Sequence, residues 1–241
     1  RSIRYEMQGA LLRAREAAAR SGSVIDMFPR LYAILDADLL AARSLQMMSV
    51  ATELRAAGIT FIQYRNKQSS ARALLQDAAR LRELFPASED VGLLLNDRPD
   101  LALLAGFDGV HVGQDDAPAE GARGIVGADS WVGVSTHNLQ QVIEANETSC
   151  DYIAYGPIFP TATKINPDPT VGLAGIKEAR AHTGKPLVAI GGITRQNCRS
   201  VLDAGADSVA VISDLLPASG DAKMDGVTTR HIAEEFFRLL S

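Results

Sequence analysis

The chain has 241 residues, of which 46% are hydrophobic and 22% charged, enough apolar material for one sizeable globular core. Its 24 basic and 29 acidic residues leave a net charge of −5, which argues against a general nucleic-acid or membrane-surface binder and leaves room for a local basic pocket. No apolar run approaches the roughly 20 residues that span a bilayer. Cys150 and Cys198 have no metal-motif spacing and form no disulfide framework, which fits a reducing cytoplasm.

The chain opens on Arg1, which leaves its native start open. Residues 4–20, RYEMQGALLRAREAAAR, are rich in Ala and Arg at helical spacing. They read as an N-terminal helical extension over residues 1–28. Glu6 and Glu16 count against a transit peptide. The regular fold is expected from residue 29 to residue 241. Leu31–Leu35 is an apolar run ending at Asp36. A helix over Leu45–Ala57 leads to a strand at Thr60–Gln63. A helix over Ala71–Phe85 is followed by a strand at Leu93–Leu95, ending in Asn96-Asp97. Pro99 to Ala105 reads as a helix, with Pro suited to its first turn and Gly106 to its exit. Val110–Val112 is the next strand, ending in Gln114-Asp115-Asp116. A short helix over Ala117–Gly124 precedes a strand at Trp131–Val134, which ends at Ser135. A helix from Leu139 to Glu147 leads to a strand at Tyr152–Tyr155. The loop from Ile158 to Gly172 is the longest, and is rich in Pro and Thr. A helix over Ala174–His182 and a strand at Leu187–Ile190 follow. Thr194–Ala204 reads as a helix with Thr194 as N-cap. The last strand is Ser208–Val211, and the last helix runs from Val227 to Leu240.

The strands are continuous apolar runs such as LYAIL, GLLL, WVGV and LVAI, so both faces are buried, as in a parallel sheet. AGITFI, AGFDGVHV, SCDYIAYG and AGADSVAVI echo one another. Each ends a helix just before a strand, and in three of them glycine supplies the left-handed cap. Eight alternating units predict an α/β fold, a (β/α)8 TIM barrel that forms one catalytic domain. An open doubly wound sheet fits less well, because no GxGxxG follows the first strand.

In such a barrel the chemistry sits at the C-terminal ends of the strands. Those ends supply Asp36, Gln63, Arg65, Lys67, Asn96, Asp97, Gln114, Asp116, Ser135 and His137. Gln63, Arg65 and Lys67 alternate, so extended backbone puts them on one face. Arg and Lys there suit a polyanion. Asp97 and Asp116, at neighbouring strand ends, suit a hard divalent cation. Asp115 is set aside as an exposed neighbour. Gly191-Gly192 after strand seven and Ile212-Ser213 after strand eight occupy the usual phosphate position of the fold. Thr161, Thr163 and Lys164 in the long loop suit a second phosphate group, and the loop is a candidate lid. His137 is a candidate base or helix cap. His111, His182 and His231 read as structural. A divalent metal with Arg and Lys around a diphosphate points to departure of pyrophosphate and transfer of the remaining group to a phosphate-bearing acceptor.

The motifs QYRNK, LLLNDRPDLALLAGFDGVHVGQDD, VGVSTHN, DYIAYGPIFPTATK, VGL, PLVAIGGIT and AVIS occur in order. Together they resemble the thiamine phosphate synthase family from Leu31 to Ser213. The resemblance implies a reaction between two small phosphorylated substrates. The diphosphate of 4-amino-2-methyl-5-(diphosphooxymethyl)pyrimidine leaves, and the ring nitrogen of a thiazole phosphate captures the pyrimidinylmethyl group to give thiamine phosphate. It implies that Gln63, Arg65, Lys67, Asn96, Ser135 and Lys164 hold the pyrimidine diphosphate. Thr161, Thr163, Gly192, Ile212 and Ser213 would hold the thiazole phosphate, and Asp97 and Asp116 would hold Mg2+. Tyr64, Asn66 and Ala162 depart from the family pattern. No nucleic-acid or membrane partner is implied, and homo-oligomerisation is left open. Asp116 and Ser135 favour the synthase over a thiazole tautomerase of the same fold, which needs no second metal carboxylate, and both acids with the Gln-x-Arg-x-Lys arm argue against a phosphate-binding barrel without activity.

Overall fold

A computed structural model describes residues 28–161, 168–218 and 227–241. The expected N-terminal helix lies outside the described residues apart from Phe28. Eight strands form a closed parallel barrel in sequence order. They are β1 Leu31–Asp36, β2 Phe61–Arg65, β3 Gly92–Asn96, β4 Gly109–Val112, β5 Trp131–Thr136, β6 Tyr152–Tyr155, β7 Leu187–Ile190 and β8 Ser208–Val211. The ring closes where Leu31 pairs with Val209 and Ala33 with Val211. The helices are α1 Ala37–Ala42, α2 Met47–Ala56, α3 Ala71–Leu84, α4 Pro99–Ala105, α5 Ala119–Val126, α6 Leu139–Asn146, α7 Gly172–Arg180, α8 Cys198–Asp203 and α9 Thr229–Leu240. The predicted (β/α)8 barrel is the observed fold.

Period-two alternation along each strand produces two cores. Outward residues such as Leu31, Leu35, Ile62, Leu93 and Leu95 pack with Leu54, Leu74, Leu81 and Phe236 of the surrounding helices. Inward residues Tyr32, Ile34, Phe61, Leu94, Tyr152, Ala154, Val188 and Ala210 fill the barrel. Phe28 closes its lower end by edge contacts with Phe61 and Trp131. The predicted left-handed glycine exits are present: Gly58, Gly106 and Gly205 have φ of 85°, 68° and 112°.

Three differences from the sequence expectation bear on the site. First, α1 follows β1 directly, because the Asp36 carboxylate accepts from Leu39 N and caps it. Second, β2 extends to Arg65, so that side chain is held by sheet pairing rather than by a loop. Third, α8 begins at Cys198 and not at Thr194. Thr194 is not its cap. The Thr194 N–H instead donates to Asn197 Oδ1 at 2.8 Å, which makes a turn before the helix.

The sequence echo has a chemical counterpart at the lower end of the barrel. Asp108 accepts from Leu93 N and from Arg82. Asp151 accepts from Val132 N and from Arg123. Asp207 accepts from Leu187 N and from Arg180. In each case an aspartate leading into an even-numbered strand ties down the odd-numbered strand before it. An arginine from the helix that precedes the odd-numbered strand completes the tie.

Candidate active site

The upper end of the barrel opens into a cavity of about 470 Å3. Gln63, Arg65 and Lys67 all line it, as their alternation on β2 and its extension predicts. Arg65 pairs with Asp36, which is 2% exposed. A buried carboxylate thus aims the guanidinium while leaving part of its donor fork for the cavity. Lys67 Nζ lies 3.1 Å from Asp97 Oδ2. Tyr64 and Asn66, on the other face of the strand, bond to each other, and Tyr64 donates to Asp77 of α3 at 2.6 Å. These two departures from the family pattern therefore face a helix and not the cavity.

Asp97 sits just past β3 with a left-handed φ of 63°. Its N–H is held by His111 O at 2.8 Å. That turn swings the side chain toward the Gln114–Asp116 turn after β4. Asp116 is fixed by Gly113 N–H at 2.8 Å. Burial, followed by the facing Asp116 carboxyl, raises the Asp97 carboxyl above its ordinary value, against the opposing pull of Lys67. The two predicted metal residues therefore meet as a like-charged pair. Among the described residues there is no group of three or more His, Cys, Asp or Glu placed to hold a metal ion. Asn96 lines the cavity beside Asp97, and Asp115 is exposed at its rim.

The opposite wall is made of backbone. Gly191 and Gly192 have φ of 96° and 65°. A Cβ on Gly192 would lie 2.6 Å from Pro160 O. The glycine pair is therefore required for close packing against the start of the long loop, in addition to any ligand it meets. Phe159 N donates to Gly191 O, and Gly172 N to Ile158 O, so both ends of that loop are pinned. Ile212 and Ser213 line the same wall, where a three-residue 3-10 helix begins. With α8 starting late, this wall is a turn and a 3-10 start, not the N-terminus of α8. Thr161 lines the cavity. Thr163 and Lys164, with Ala162, lie outside the described residues.

His137 does not cap α6; Asn138 does, accepting from Gln141 N. His137 Nδ1 instead lies 2.7 Å from Gly156 O and 3.6 Å from Asp168. The cavity floor holds residues that motif reading missed. Tyr32, Tyr152 and His111 lie beneath Gln63 and Ser135 and form a hydrogen-bonded chain between them. His111 is 5% exposed, and burial holds its imidazole down at about 4, so it is neutral. The available signal was a lone polar residue at an inward position of the apolar strand GVHV.

The profile of the family described as thiamine monophosphate synthase matches residues 31–215. A thiamine-phosphate synthase of Koribacter versatilis is 56% identical over 214 residues, covering 88% of this chain and 96% of that protein. A thiamine-phosphate synthase of Chloroflexus aurantiacus is 42% identical over 189 residues, covering 78% of this chain and 86% of its own. Among solved structures, thiamine phosphate pyrophosphorylase from Pyrococcus furiosus superposes with a TM-score of 0.73 at 31% identity, covering 88% of this chain and 95% of that one. The profile spans the barrel, and the relatives are matched along most of their length, so the chain belongs to the thiamine monophosphate synthase family.

Proposed function

We propose that the two walls of this cavity divide the substrates of thiamine phosphate synthesis between them. Family membership makes the chain a transferase that forms thiamine phosphate. The observation that carries the division is that Asp97 and Asp116 meet beside the Gln63–Arg65–Lys67 arm, across from the backbone wall of Gly192, Ile212 and Ser213.

On this reading Gln63, Arg65, Lys67, Asn96, Ser135 and Lys164 bind the pyrimidine diphosphate. Arg65, aimed by Asp36, and Lys67 meet the negative charge that grows on the leaving diphosphate. Thr161, Thr163, Gly192, Ile212 and Ser213 hold the thiazole phosphate and point its ring nitrogen at the pyrimidinylmethyl carbon. The carbon–oxygen bond to the diphosphate breaks, and its electron pair leaves with pyrophosphate. The nitrogen lone pair forms the new carbon–nitrogen bond, and no proton is transferred. The inward apolar residues Ile34, Ala154, Ile190 and Ala210 line the cavity and limit water beside an electron-poor carbon.

Asp97 and Asp116 fit Mg2+. Two facing carboxylates destabilise one another, and a divalent cation relieves that repulsion through hard oxygen ligands. Bound there, Mg2+ would neutralise diphosphate charge as pyrophosphate leaves. We further propose that the protein works in the cytoplasm, a reading supported by two buried free thiols, Cys150 and Cys198.

The test is to incubate both phosphorylated substrates with the protein and Mg2+ and to assay for thiamine phosphate. A well-folded protein that yields no product would sink the reading.

A further inference from the structure

The cavity floor contains a continuous hydrogen-bonded chain that crosses the barrel. Gln63 Nε2 donates to Tyr32 Oη at 2.7 Å. Tyr32 Oη and Tyr152 Oη are 2.9 Å apart. Tyr152 Oη and His111 Nδ1 are 2.9 Å apart. His111 Nε2 and Ser135 Oγ are 2.8 Å apart. The five side chains come from five strands, and the three in the middle are 0–5% exposed. Its two ends, Gln63 and Ser135, are both on the cavity surface.

We propose that Tyr32, Tyr152 and His111 are positioning residues that fix the hydrogen-bond polarity of Gln63 and Ser135 toward the substrate. Each phenol carries one proton, and neutral imidazole carries one more. Tyr32 accepts from Gln63, so its own proton goes to Tyr152. The Tyr152 proton then goes to His111 Nδ1, which places the imidazole proton on Nε2, facing Ser135 Oγ. With Gln63 Nε2 facing Tyr32, any other arrangement strands a phenolic proton without an acceptor in the buried floor. Two properties of the cavity follow. Gln63 presents its carbonyl oxygen, an acceptor. Ser135 accepts from His111, so its hydroxyl proton is free to donate.

This polarity suits a ligand that offers an N–H at the Gln63 end and a lone pair or anionic oxygen at the Ser135 end. An aminopyrimidine carrying a diphosphate has both. The inference rests on the assignment of Gln63 and Ser135 to the pyrimidine substrate proposed above. It adds that their orientation is imposed from below, by residues that do not react.

The test combines 15N NMR of histidine-labelled protein with steady-state kinetics of Tyr152→Phe. Phenylalanine keeps the ring and removes the link. In the parent protein the His111 proton is expected on Nε2; finding it on Nδ1 would overturn the proposed sense. In Tyr152→Phe the tautomer preference is expected to weaken. The KM for the pyrimidine diphosphate is expected to rise about tenfold, the loss of roughly one hydrogen bond. The KM for the thiazole phosphate is expected to stay within about twofold, which a general loosening of the barrel would not allow. Tyr32→Phe is measured alongside, with the same kinetic expectation, and replaces Tyr152→Phe if that variant does not fold. Gln63→Ala separates the two readings. If it raises the pyrimidine KM and neither phenylalanine variant does, the chain does not position and the proposal fails alone. If Gln63→Ala also leaves that KM unchanged, the assignment of Gln63 to the pyrimidine fails, and the proposal falls with it.

Discussion

A Cβ on Gly133 would lie 2.0 Å from Cζ of Tyr152, so one place inside the barrel serves both residues. Gly133 and Tyr152 are register partners on β5 and β6, and the phenol fills the space where an inward side chain of β5 would stand. Tyr152 also stacks on His111 with ring centroids 5.6 Å apart. Glycine at 133 is thus what allows a tyrosine hydroxyl to reach the centre of the floor. Gly133→Ala is expected to cost about 1–3 kcal/mol through overpacking. Urea unfolding would show a lower midpoint with an unchanged slope. Combining it with Tyr152→Leu is expected to cost less than the sum of the two single changes, because the shorter side chain vacates the clash. Strict additivity would show that the two residues do not compete for the same place.

That relationship marks where sequence reading reached its limit. The barrel was legible because its strands are unbroken apolar runs and its helices end on glycine. The arm of Gln63, Arg65 and Lys67 was legible because period two survives in any strand. Asp97 and Asp116 were legible because strand ends in this fold share one face. The floor was not, because it depends on inward residues from strands far apart in sequence. Tyr32 is 120 residues from Tyr152, and each sits in a run that reads simply as core. Only the closed register brings them together. α8 starts later than the expected Thr194 because Asn197, and not Thr194, supplies the turn-forming oxygen. The internal echo shows in sequence through its glycines, while the aspartates of three of its four segments carry the hydrogen bonds.

Asp97 offers a test of the metal proposal that does not depend on turnover. Its carboxyl is raised by burial and by Asp116. A raised carboxyl stabilises the fold through its proton. That contribution is complete below the unfolded value, near 4, and is lost as pH rises through the raised folded value. Metal-free protein is therefore expected to lose stability from this pair across that window, and Mg2+ to restore it. Thermal melts should show a larger Mg2+-induced rise in Tm at about pH 8 than at about pH 4. Asp97→Asn should abolish the difference and the Mg2+-dependent turnover. An equal Mg2+ response at both pH values would remove the pair as its origin.

The three aspartate ties at the lower end predict loss of stability without loss of substrate affinity. Asp151 accepts from Arg123 at 2.6 Å and from Val132 N at 2.7 Å, with both side chains less than a fifth exposed. Asp151→Ala leaves a mostly buried guanidinium and a strand N–H without this acceptor, at about 2–3 kcal/mol. The chemistry lies at the other end of the barrel. KM for both substrates is therefore expected to be unchanged at temperatures where the variant is folded, while its urea midpoint falls. An unchanged midpoint would show that water replaces the tie at no cost.

Arg65 supplies the sharpest test of how the diphosphate is held. Asp36 is nearly inaccessible and spends one oxygen capping α1 and the other on Arg65. The guanidinium is therefore oriented before any substrate arrives. Lysine at 65 would keep the charge and lose the planar fork, so it could not hold Asp36 and a diphosphate oxygen in fixed directions together. Arg65→Lys is expected to raise the KM for the pyrimidine diphosphate about tenfold and to lower kcat, since charge on the leaving group grows in the transition state. The KM for the thiazole phosphate, held by the opposite wall, is expected to stay unchanged. Asp36→Asn separates aim from charge: it keeps an acceptor for Leu39 N but releases Arg65. If Arg65→Lys impairs turnover and Asp36→Asn does not, the guanidinium acts without being aimed. If both impair the pyrimidine side alone, orientation by the buried carboxylate is part of how the site binds its diphosphate.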